Sequence, residues 1–508
     1  EFGFKLNGKK IFLQGNANHH DLGALGATCY DKAIERMMLQ LKSFGYNCIR
    51  CSHNPYSDSF ARIADRVGIL VVDELTDKWS DNDYWGGRQP FTHIWHKLIT
   101  EWIKRDRNRP SIILWSLGNE LQIREGWAGF EGTNDWGITT YNIFNQLVKR
   151  WDHTRLTTVA MFPARAGAIT RHDKEFNDYL VPPELACATE VASFNYQSDK
   201  YDAYLKYRPD LILFQSEAET SNLLQPYYNM DKERMVGIAY WGSVEYWGES
   251  NKWPKKGWNY SFFEHTMRPY PQAYLIKTAF MPEIPEVHIG VVDAAGAESV
   301  SWNDVIVGRM ALNECWNHTP GSRRSLFTFT NAHSVELLVN GQSMGIQKND
   351  TTRANLRNMI YWKDVPYGNG GSVVAIARDK SGKEVARHRI ETAGKAVALR
   401  IEAETPTDWK ADGMDLQYIN VTVIDKKGRP VWDYNEPLTL QMEGAARLVA
   451  LDNGDHYTDE LFHGITSKRM YQGRMQIILR SDQEAGNVTV KISSAGLKGT
   501  LRLKTIKE

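Results

Sequence analysis

Eight short apolar runs recur between residues 10 and 280, and they constrain the fold more than any other feature of the chain. Each run is almost continuously apolar, a pattern typical of a parallel strand that is covered on both faces. Between the early runs, residues 31–44 and 57–67 have apolar positions three and four apart, which predicts amphipathic helices. The predicted strands are residues 11–15, 47–51, 69–73, 112–118, 156–160, 191–194, 211–214 and 237–241.

Alternating strands and helices of this number predict a closed (β/α)8 TIM barrel rather than an open doubly wound sheet. No GxGxxG or GxxxxGK(S/T) motif follows any of the runs, which argues against a nucleotide-binding open sheet. We assign residues 1–282 to the barrel domain, including a lead-in hairpin with an Asn7-Gly8 turn. The first strand of that hairpin has no earlier partner, so we expect the chain to be cut from something longer.

The pattern changes after residue 282, where alternating apolar and polar residues replace the continuous runs. Residues 335–339 alternate in this way and lead into Asn340-Gly341, a strong hairpin turn. A second unit of the same kind contains the long alternating run 416–424. We therefore expect two all-β, immunoglobulin-like sandwich domains after the barrel, at residues 283–396 and 397–508.

Charge and composition exclude several classes of partner. The 61 basic and 61 acidic residues balance, so the chain has no electrostatic footprint for nucleic acid. No apolar stretch reaches the roughly 18 residues that a membrane span needs. The five cysteines are widely spread and match no disulfide or CxxC pattern. These observations favour a neutral or locally recognised ligand and leave the compartment open.

Polar and aromatic residues follow nearly every predicted strand. In a parallel barrel the functional site lies at the carboxyl ends of the strands, so these residues are expected to line one rim. They are His19, His20 and Asp21, then Arg50, His53 and Asn54, then Asp73 and Glu74, then Asn119 and Glu120, then Asn195 and Tyr196, then Ser216 and Glu217, and finally Trp241.

Glu120 and Glu217 follow the fourth and seventh strands, which face each other across an eight-stranded barrel. Two carboxyl groups roughly 5–5.5 Å apart cleave a glycosidic bond with retention, one as acid and the other as nucleophile. We expect apolar walls and the charge of Glu217 to keep Glu120 protonated as the acid. Asn119 is expected to bind the sugar 2-hydroxyl, and Tyr196 to donate a hydrogen bond to Glu217.

Two further glutamates compete for roles at this rim. Glu219 lies two residues after Glu217, but the strand-end position favours Glu217 as the nucleophile. Glu74 has two open interpretations, an ion pair with Arg50 in the barrel floor or a contact with substrate.

Residues 105–120 (RDRNRPSIILWSLGNE) resemble the acid/base segment of glycoside hydrolase family 2, which includes β-galactosidases, β-glucuronidases and β-mannosidases. Residues 19–26, 50–55 and 241–249 also resemble family segments, in the family's order. The resemblance implies a site made of Glu120 as acid/base and Glu217 as nucleophile, with His19, Asp21, His53, Asn119, Tyr196 and Trp241 around the sugar.

This resemblance covers the whole predicted barrel and extends to the two β domains. It implies a retaining exo-β-glycosidase, and among these it favours a β-galactosidase that acts on an oligo- or polysaccharide. It also favours a periplasmic or secreted location. Family members normally carry two β domains ahead of the barrel, of which only the last hairpin is seen here.

Two departures from the family narrow the expected chemistry. Metal-using β-galactosidases place an acidic residue and a histidine where this chain has Lys-Trp-Ser at 78–80, so we expect no catalytic metal and no other cofactor. The β-glucuronidases share an Asn-x-Lys pair for the sugar carboxylate, and residues 251–253 (Asn-Lys-Trp) lack that spacing. β-Glucuronidase and β-mannosidase therefore remain as alternatives behind β-galactosidase.

Two hypotheses come from other functional classes. A barrel metallohydrolase would use His19, His20 and His53 as ligands, but such sites usually have His-x-His on the first strand and further ligands on later strands. A non-catalytic carbohydrate-binding fragment would need partners for sugar hydroxyls, but not a carboxylate beneath the anomeric carbon. The two rim glutamates favour a glycosidase over both alternatives.

Overall fold

The computed structural model describes residues 3–79, 90–124, 127–128, 137–162, 182–196, 198–222, 224–250, 252–293, 298–302 and 305–507. Two compact units contain them. The first consists of residues 1–20, 38–243 and 301–307, and the second of residues 21–37, 244–300 and 308–508.

The first unit contains a closed barrel of eight parallel strands, which are labelled β1 to β8 in chain order. Each strand pairs with the next, and β8 pairs with β1 to close the barrel. All seven residues of β8 are buried, as expected for a strand covered on both faces. The strands are Leu13–His19, Cys48–Ser52, Leu70–Glu74, Ile112–Asn119, Leu156–Met161, Val191–Asn195, Leu213–Ala218 and Met235–Trp241.

The barrel predicted from the apolar runs is confirmed, since all eight runs overlap a barrel strand. The first strand begins at Leu13, two residues later than predicted, because Lys9–Ile11 pairs with Phe4–Leu6 instead. The turn of that hairpin is at Asn7 and Gly8, whose φ values of 52° and 78° are those of a tight two-residue turn.

Helices lie between the barrel strands, and one of them has a clear cap at each end. The helix Asp58–Val67 begins after Ser57, whose side chain accepts a hydrogen bond from the N–H of Phe60, and it ends at Gly68 in the left-handed conformation. Among the described residues, no helix has the length and apolar character that crossing a membrane requires. The other helices are Asp31–Ser43, Phe91–Asp106, Ile138–Trp151, Glu184–Ala188, Tyr201–Tyr207, Gln225–Asn229 and Ala273–Phe280, with 3-10 turns at Gly23–Leu25, Ser198–Lys200 and Thr220–Asn222.

The second unit contains two antiparallel sandwiches, each built from two four-stranded sheets. The sheets of the first are, in spatial order, Leu312–Asn313, Val287–Val292, Arg323–Thr330 and Met359–Pro366, and Gln342–Lys348, Ser334–Val339, Ser372–Arg378 and Glu384–Glu391. The sheets of the second are Ala396–Ala403, Leu416–Asp425, Arg474–Ser481 and Ala446–Asp452, and Ser467–Arg469, Pro437–Gly444, Asn487–Ser494 and Leu497–Lys504. Short strands elsewhere are Gln122–Arg124, Trp127–Ala128, Tyr246–Trp247, Gly257–Trp258, Glu298–Trp302 and Val305–Arg309.

Each sandwich has its own apolar core, as the alternating sequence pattern predicts. Trp316 is fully buried in the first core, between side chains of both sheets, and Trp409 has the same position in the second. The predicted turn at Asn340-Gly341 joins two paired strands of the first sandwich. A barrel followed by two β-sandwiches is therefore the architecture of this chain.

Candidate active site

Strands β2, β3, β4, β6 and β7 each deliver a buried polar side chain at or near their carboxyl ends. These side chains are Arg50, Glu74, Asn119, Asn195 and Glu217, and each is at most 3% exposed. Because parallel strands end at the same rim, the five groups meet in one place, as expected for a barrel of this kind.

Arg50 is the centre of this polar network. Its guanidinium is fully buried and donates to both oxygens of Glu74, with the shortest bond at 2.7 Å. Nη1 donates to Oε1 of Glu217 at 2.7 Å, and Nη2 donates to Oδ1 of Asn119 at 2.9 Å. One buried cation thus has two carboxylate partners and an amide partner, which satisfies most of its donors.

Glu74 forms the ion pair that was one of its two expected roles. In addition to Arg50, it accepts a 2.6 Å hydrogen bond from Ser116 and lies 2.6 Å from Nδ1 of His53. Burial acts to raise the pKa of Glu74, but Arg50 and His53 outweigh it and hold the pKa below its ordinary value. Burial likewise acts to lower the pKa of His53, and Glu74 leaves it raised. Glu74 is therefore an anionic anchor for two neighbouring side chains.

Glu217 is held between Arg50 and His53. Its Oε1 atom lies 2.7 Å from Nη1 of Arg50 and 3.7 Å from Nε2 of His53. Burial raises the pKa of the Glu217 carboxyl above its ordinary value, Arg50 opposes this rise, and the charge of Glu120 adds to it. The last effect requires the two candidate catalytic glutamates to be close enough to repel one another.

Two amide side chains connect Glu120 to this network. The Nδ2 atom of Asn195 donates to Oε1 of Glu120 at 3.2 Å and to Oδ1 of Asn119 at 2.9 Å. Ser216 fixes the other end of the amide by donating to Oδ1 of Asn195 at 2.8 Å. A continuous path of hydrogen bonds therefore runs from Glu120 through Asn195, Asn119 and Arg50 to Glu217.

The backbone is strained at two positions of this rim. Glu120 and Tyr196 have φ values of 46° and 58°, in the left-handed region that side chains other than glycine rarely adopt. Their backbone N–H groups donate 2.7 Å hydrogen bonds to the carbonyl oxygens of Ala160 and Glu217, respectively. Such strain persists only where the surroundings hold it, and it is concentrated at functional sites.

Three aromatic rings stand together beside the carboxylates. His53 stacks on Trp241 with ring centroids 5.3 Å apart and planes only 7° from parallel, and His19 packs edge-on against Trp241 at 4.9 Å. Nδ1 of His19 lies 3.3 Å from the carbonyl oxygen of Ser52. Rings in such a wall can pack on the apolar face of a sugar and offer nitrogen atoms to its hydroxyls.

Two of the remaining predicted site residues, Tyr196 and Asp21, have contacts outside the polar network. Tyr196 is buried, and its backbone N–H donates to the carbonyl oxygen of Glu217. Asp21 belongs to the second unit, where its carboxylate accepts hydrogen bonds from the N–H groups of Gly23 and Trp247. A substrate-binding role for these two side chains therefore stays a prediction. Residues 80 and 251, which entered the expectations about metal and glucuronide, lie outside the described residues.

Arg50 and Asn195 were expected at this rim without a catalytic or substrate-binding role, and Asp77 was not predicted at all. Asp77 accepts a 3.0 Å hydrogen bond from Nδ2 of Asn119 and a 2.6 Å bond from Lys78. Arg50 and Asn195 each stand at the end of an apolar strand, the same sequence position that identified Glu217. Their position was therefore a usable signal, whereas Asp77 lies in a loop and gave none.

Family comparisons agree with this architecture. The family 2 glycosyl hydrolase TIM barrel domain matches residues 2–181, the family 2 C-terminal domain 5 matches residues 399–501, and a domain of unknown function matches residues 321–386. The expected resemblance to this family is confirmed.

Individual relatives extend over the whole chain. The beta-galactosidase BoGH2A of Bacteroides ovatus is 27% identical over 98% of this chain and 61% of its own length. A putative beta-glucuronidase of Formosa agariphila is 45% identical over 100% of this chain and 50% of its own length. The crystal structure of a family 2 member from Bacteroides cellulosilyticus superimposes with a TM-score of 0.85 at 27% identity, covering 100% of this chain and 64% of that one.

This chain thus spans 50–61% of the length of these two curated relatives. Family 2 models match its barrel and its second β-sandwich, and family 2 relatives match it from end to end, so the chain belongs to glycoside hydrolase family 2.

Proposed function

We propose that this chain is the catalytic part of a retaining exo-β-glycosidase, with Glu217 as the nucleophile and Glu120 as the acid/base. The observation that carries the proposal is the hydrogen-bonded path from Glu120 to Glu217, in which Arg50 and two amides hold both carboxyl groups. A protein that only binds sugar has no need to fix two carboxyl groups in this manner.

The reaction has two displacements. In the first, Glu217 attacks the anomeric carbon and forms a covalent ester, while Glu120 gives its proton to the departing glycosidic oxygen. In the second, Glu120 removes a proton from water, the water oxygen attacks the anomeric carbon, and the ester bond to Glu217 breaks. Two inversions give net retention of the β configuration.

Arg50 supports both roles of Glu217. Its charge favours the ionised carboxylate that attack requires, and its fixed hydrogen bond aligns one oxygen. The same guanidinium withdraws electron density from the ester oxygen, which makes the carboxylate a better leaving group in the second step. Asn119, whose amide is held by Arg50, Asn195 and Asp77, is oriented to bind the sugar 2-hydroxyl.

The proposed sugar is β-galactose, on an oligo- or polysaccharide. The family resemblance and the relative named as a beta-galactosidase support this choice. A β-glucuronide is the second candidate, because the relative that is 45% identical is named a putative beta-glucuronidase. Aryl β-galactoside, β-glucuronide and β-mannoside substrates, assayed in parallel, distinguish these sugars.

Azide rescue tests the two glutamate roles separately. In Glu217→Gly the nucleophile is missing, so azide takes its place and the expected product is the α-glycosyl azide. In Glu120→Gly the ester still forms from a reactive aryl glycoside, so azide attacks the ester and the expected product is the β-glycosyl azide.

Glu219→Gln is the matched control, because this glutamate lies two residues from Glu217 and its carboxylate bonds Asn222 instead of the network. It should keep most of the activity. Loss of turnover in Glu219→Gln together with normal turnover in Glu217→Gly would reverse the assignment of the nucleophile. Absence of turnover of all three aryl glycosides by the protein would favour a carbohydrate-binding role.

A further inference from the structure

A second group of titratable side chains lies in the second unit, and the proposed reaction does not use it. This cluster consists of Glu245, His265 and His456. All three side chains are buried, with at most 4% exposure. Oε2 of Glu245 lies 3.0 Å from Nδ1 of His265 and 3.2 Å from Nδ1 of His456, and the three ligand atoms all lie within 4.8 Å of one another.

These separations match the edges of a tetrahedral metal site. Ligand atoms about 2.0–2.1 Å from a zinc ion, at tetrahedral angles, are separated by about 3.3 Å. Two imidazole nitrogens and one carboxylate oxygen are also a donor set that zinc uses in proteins.

Neighbouring groups orient the candidate ligands as outer-shell partners do in metal sites. Asp452 accepts a hydrogen bond from Nε2 of His265 at 2.9 Å, which places a proton on that nitrogen and leaves Nδ1 able to present a lone pair to the cluster. Tyr270 donates to Oε1 of Glu245 at 2.6 Å, while Oε2 faces the two rings and also accepts a 3.2 Å hydrogen bond from the backbone N–H of His265. Metal-binding histidines commonly have a carboxylate behind them in this way.

The surroundings of the cluster include an apolar shell and a nearby cavity. Trp247 packs against both rings, at centroid distances of 4.5 Å to His265 and 4.9 Å to His456, and Phe462 lies beside Trp247 at 5.4 Å. His456 also lines a cavity of about 200 Å³ within the same unit, which Glu298 and Asp455 line too.

We propose that Glu245, His265 and His456 bind one zinc ion that stabilises the second unit. The ion is separate from the two-glutamate chemistry of the barrel, and with three protein ligands it leaves its fourth coordination position to water. It joins the segment after β8, which carries Glu245 and His265, to the loop after Ala446–Asp452, which carries His456. A single ion would thereby tie together parts of the chain about 200 residues apart, as structural zinc sites do.

A second group in the same unit has the same residue types, but one of its histidines cannot bind a metal. His288, Glu314 and His388 also approach one another. However, Nδ1 of His388 accepts a 3.0 Å hydrogen bond from the N–H of Ile289, so the proton of the neutral ring must be on Nε2, the atom that lies 3.9 Å from Glu314. That nitrogen is a donor and cannot bind a metal, which makes His388 a matched control.

Metal content is the first measurement. Protein produced with added zinc and dialysed against metal-free buffer should contain about one zinc per chain by plasma mass spectrometry. His456→Ala and Glu245→Gln should retain less than about a tenth of that, whereas His388→Ala should retain all of it. Adding zinc to the metal-free protein should raise the Tm of the wild type and of His388→Ala, but not that of His456→Ala.

Cobalt substitution keeps the test decisive if His456→Ala does not fold. Cobalt(II) bound to two imidazoles and a carboxylate gives visible absorption bands that cobalt in water lacks. The metal-free wild type and His388→Ala should develop these bands. His456→Gln, which keeps a polar side chain, should not. Two results would overturn the proposal. One is a wild type that binds neither zinc nor cobalt, which would make the cluster a purely ionic network centred on a protonated His265. The other is metal that persists in both His456→Ala and Glu245→Gln.

Discussion

The Nη1 atom of Arg50 donates a 2.7 Å hydrogen bond to Oε1 of Glu217, and this ion pair lies inside the barrel, with at most 4% of either side chain exposed. The guanidinium gives the carboxylate both a fixed position and a partner that favours its charged form. A nucleophile needs both, because attack requires an ionised oxygen aimed at the anomeric carbon. Arg50 is therefore the first positioning residue to test beside the two glutamates.

Arg50→Lys should shift the acid limb of the kcat/KM profile to higher pH and lower its plateau by about tenfold or more. Burial already raises the pKa of Glu217, and Arg50 opposes that rise. A lysine cannot reach Glu74 and Glu217 together, so the pKa should rise further and the inactive, protonated form should persist to higher pH. Arg447→Lys, at an exposed pair with Asp482, is the control. An unchanged acid limb in Arg50→Lys would mean that Arg50 does not tune Glu217.

Glu74→Gln should destabilise the fold by about 3–5 kcal/mol, because it leaves the buried charge of Arg50 with one carboxylate partner fewer. Glu74 itself has no exposed side-chain surface and bonds Arg50, His53 and Ser116. Urea unfolding followed by tryptophan fluorescence measures the change. Lys491→Ala breaks an exposed ion pair with Glu443 and should have almost no effect. A similarly small effect of Glu74→Gln would show that the pair contributes little to stability.

Asn195→Ala should lower kcat by about tenfold to a hundredfold while KM changes little, since a hydrogen bond to a charged group contributes about 1.5–3 kcal/mol. The amide of Asn195 donates to both Glu120 and Asn119, so its loss frees the acid/base to rotate. Steady-state kinetics on an aryl glycoside separate the two constants. Asn222→Ala, which removes an amide from Glu219 instead, should leave both constants near those of the wild type. If both variants behave alike, Asn195 has no special part in holding Glu120.

Gly237→Ala should destabilise the barrel by about 1–3 kcal/mol or more through overpacking. Gly237 pairs with Leu13 where β8 meets β1, and a Cβ there would lie 2.4 Å from the carbonyl oxygen of Leu13. Strand separation would have to increase at the point where the barrel closes. Gly394→Ala is the control, because its nearest neighbour would be a side-chain oxygen at 3.4 Å. Thermal unfolding of the two variants compares them, and equal Tm values would show that the closure tolerates a wider gap.

The barrel could be predicted because a strand covered on both faces needs apolar residues at nearly every position. β8 shows this most clearly, with Met235–Trp241 buried throughout. Strand boundaries were less certain, since Ile11 is as apolar as Leu13 but pairs in the lead-in hairpin. Hydrophobicity specifies that a residue is covered, but hydrogen-bond partners decide which element it joins.

Site prediction depended on a rule about strand ends, and the rule explains which residues it selected and which it missed. It selected Glu120 and Glu217, which the structure links by hydrogen bonds. For Arg50 it predicted only an ion pair with Glu74 and missed the bond to Glu217. Asp77 was not selected at all, since its contact with Asn119 depends on a loop conformation that no local pattern encodes.

The hydrogen-bonded path between the two glutamates has a consequence for attempts to redesign this barrel. Because Arg50 and Asn195 each bond two or more partners, changing either residue should disturb both halves of the proposed reaction at once. New substrate preferences are therefore easier to obtain by varying side chains of the ring wall, such as His19 or Trp241, than by editing the floor beneath the sugar.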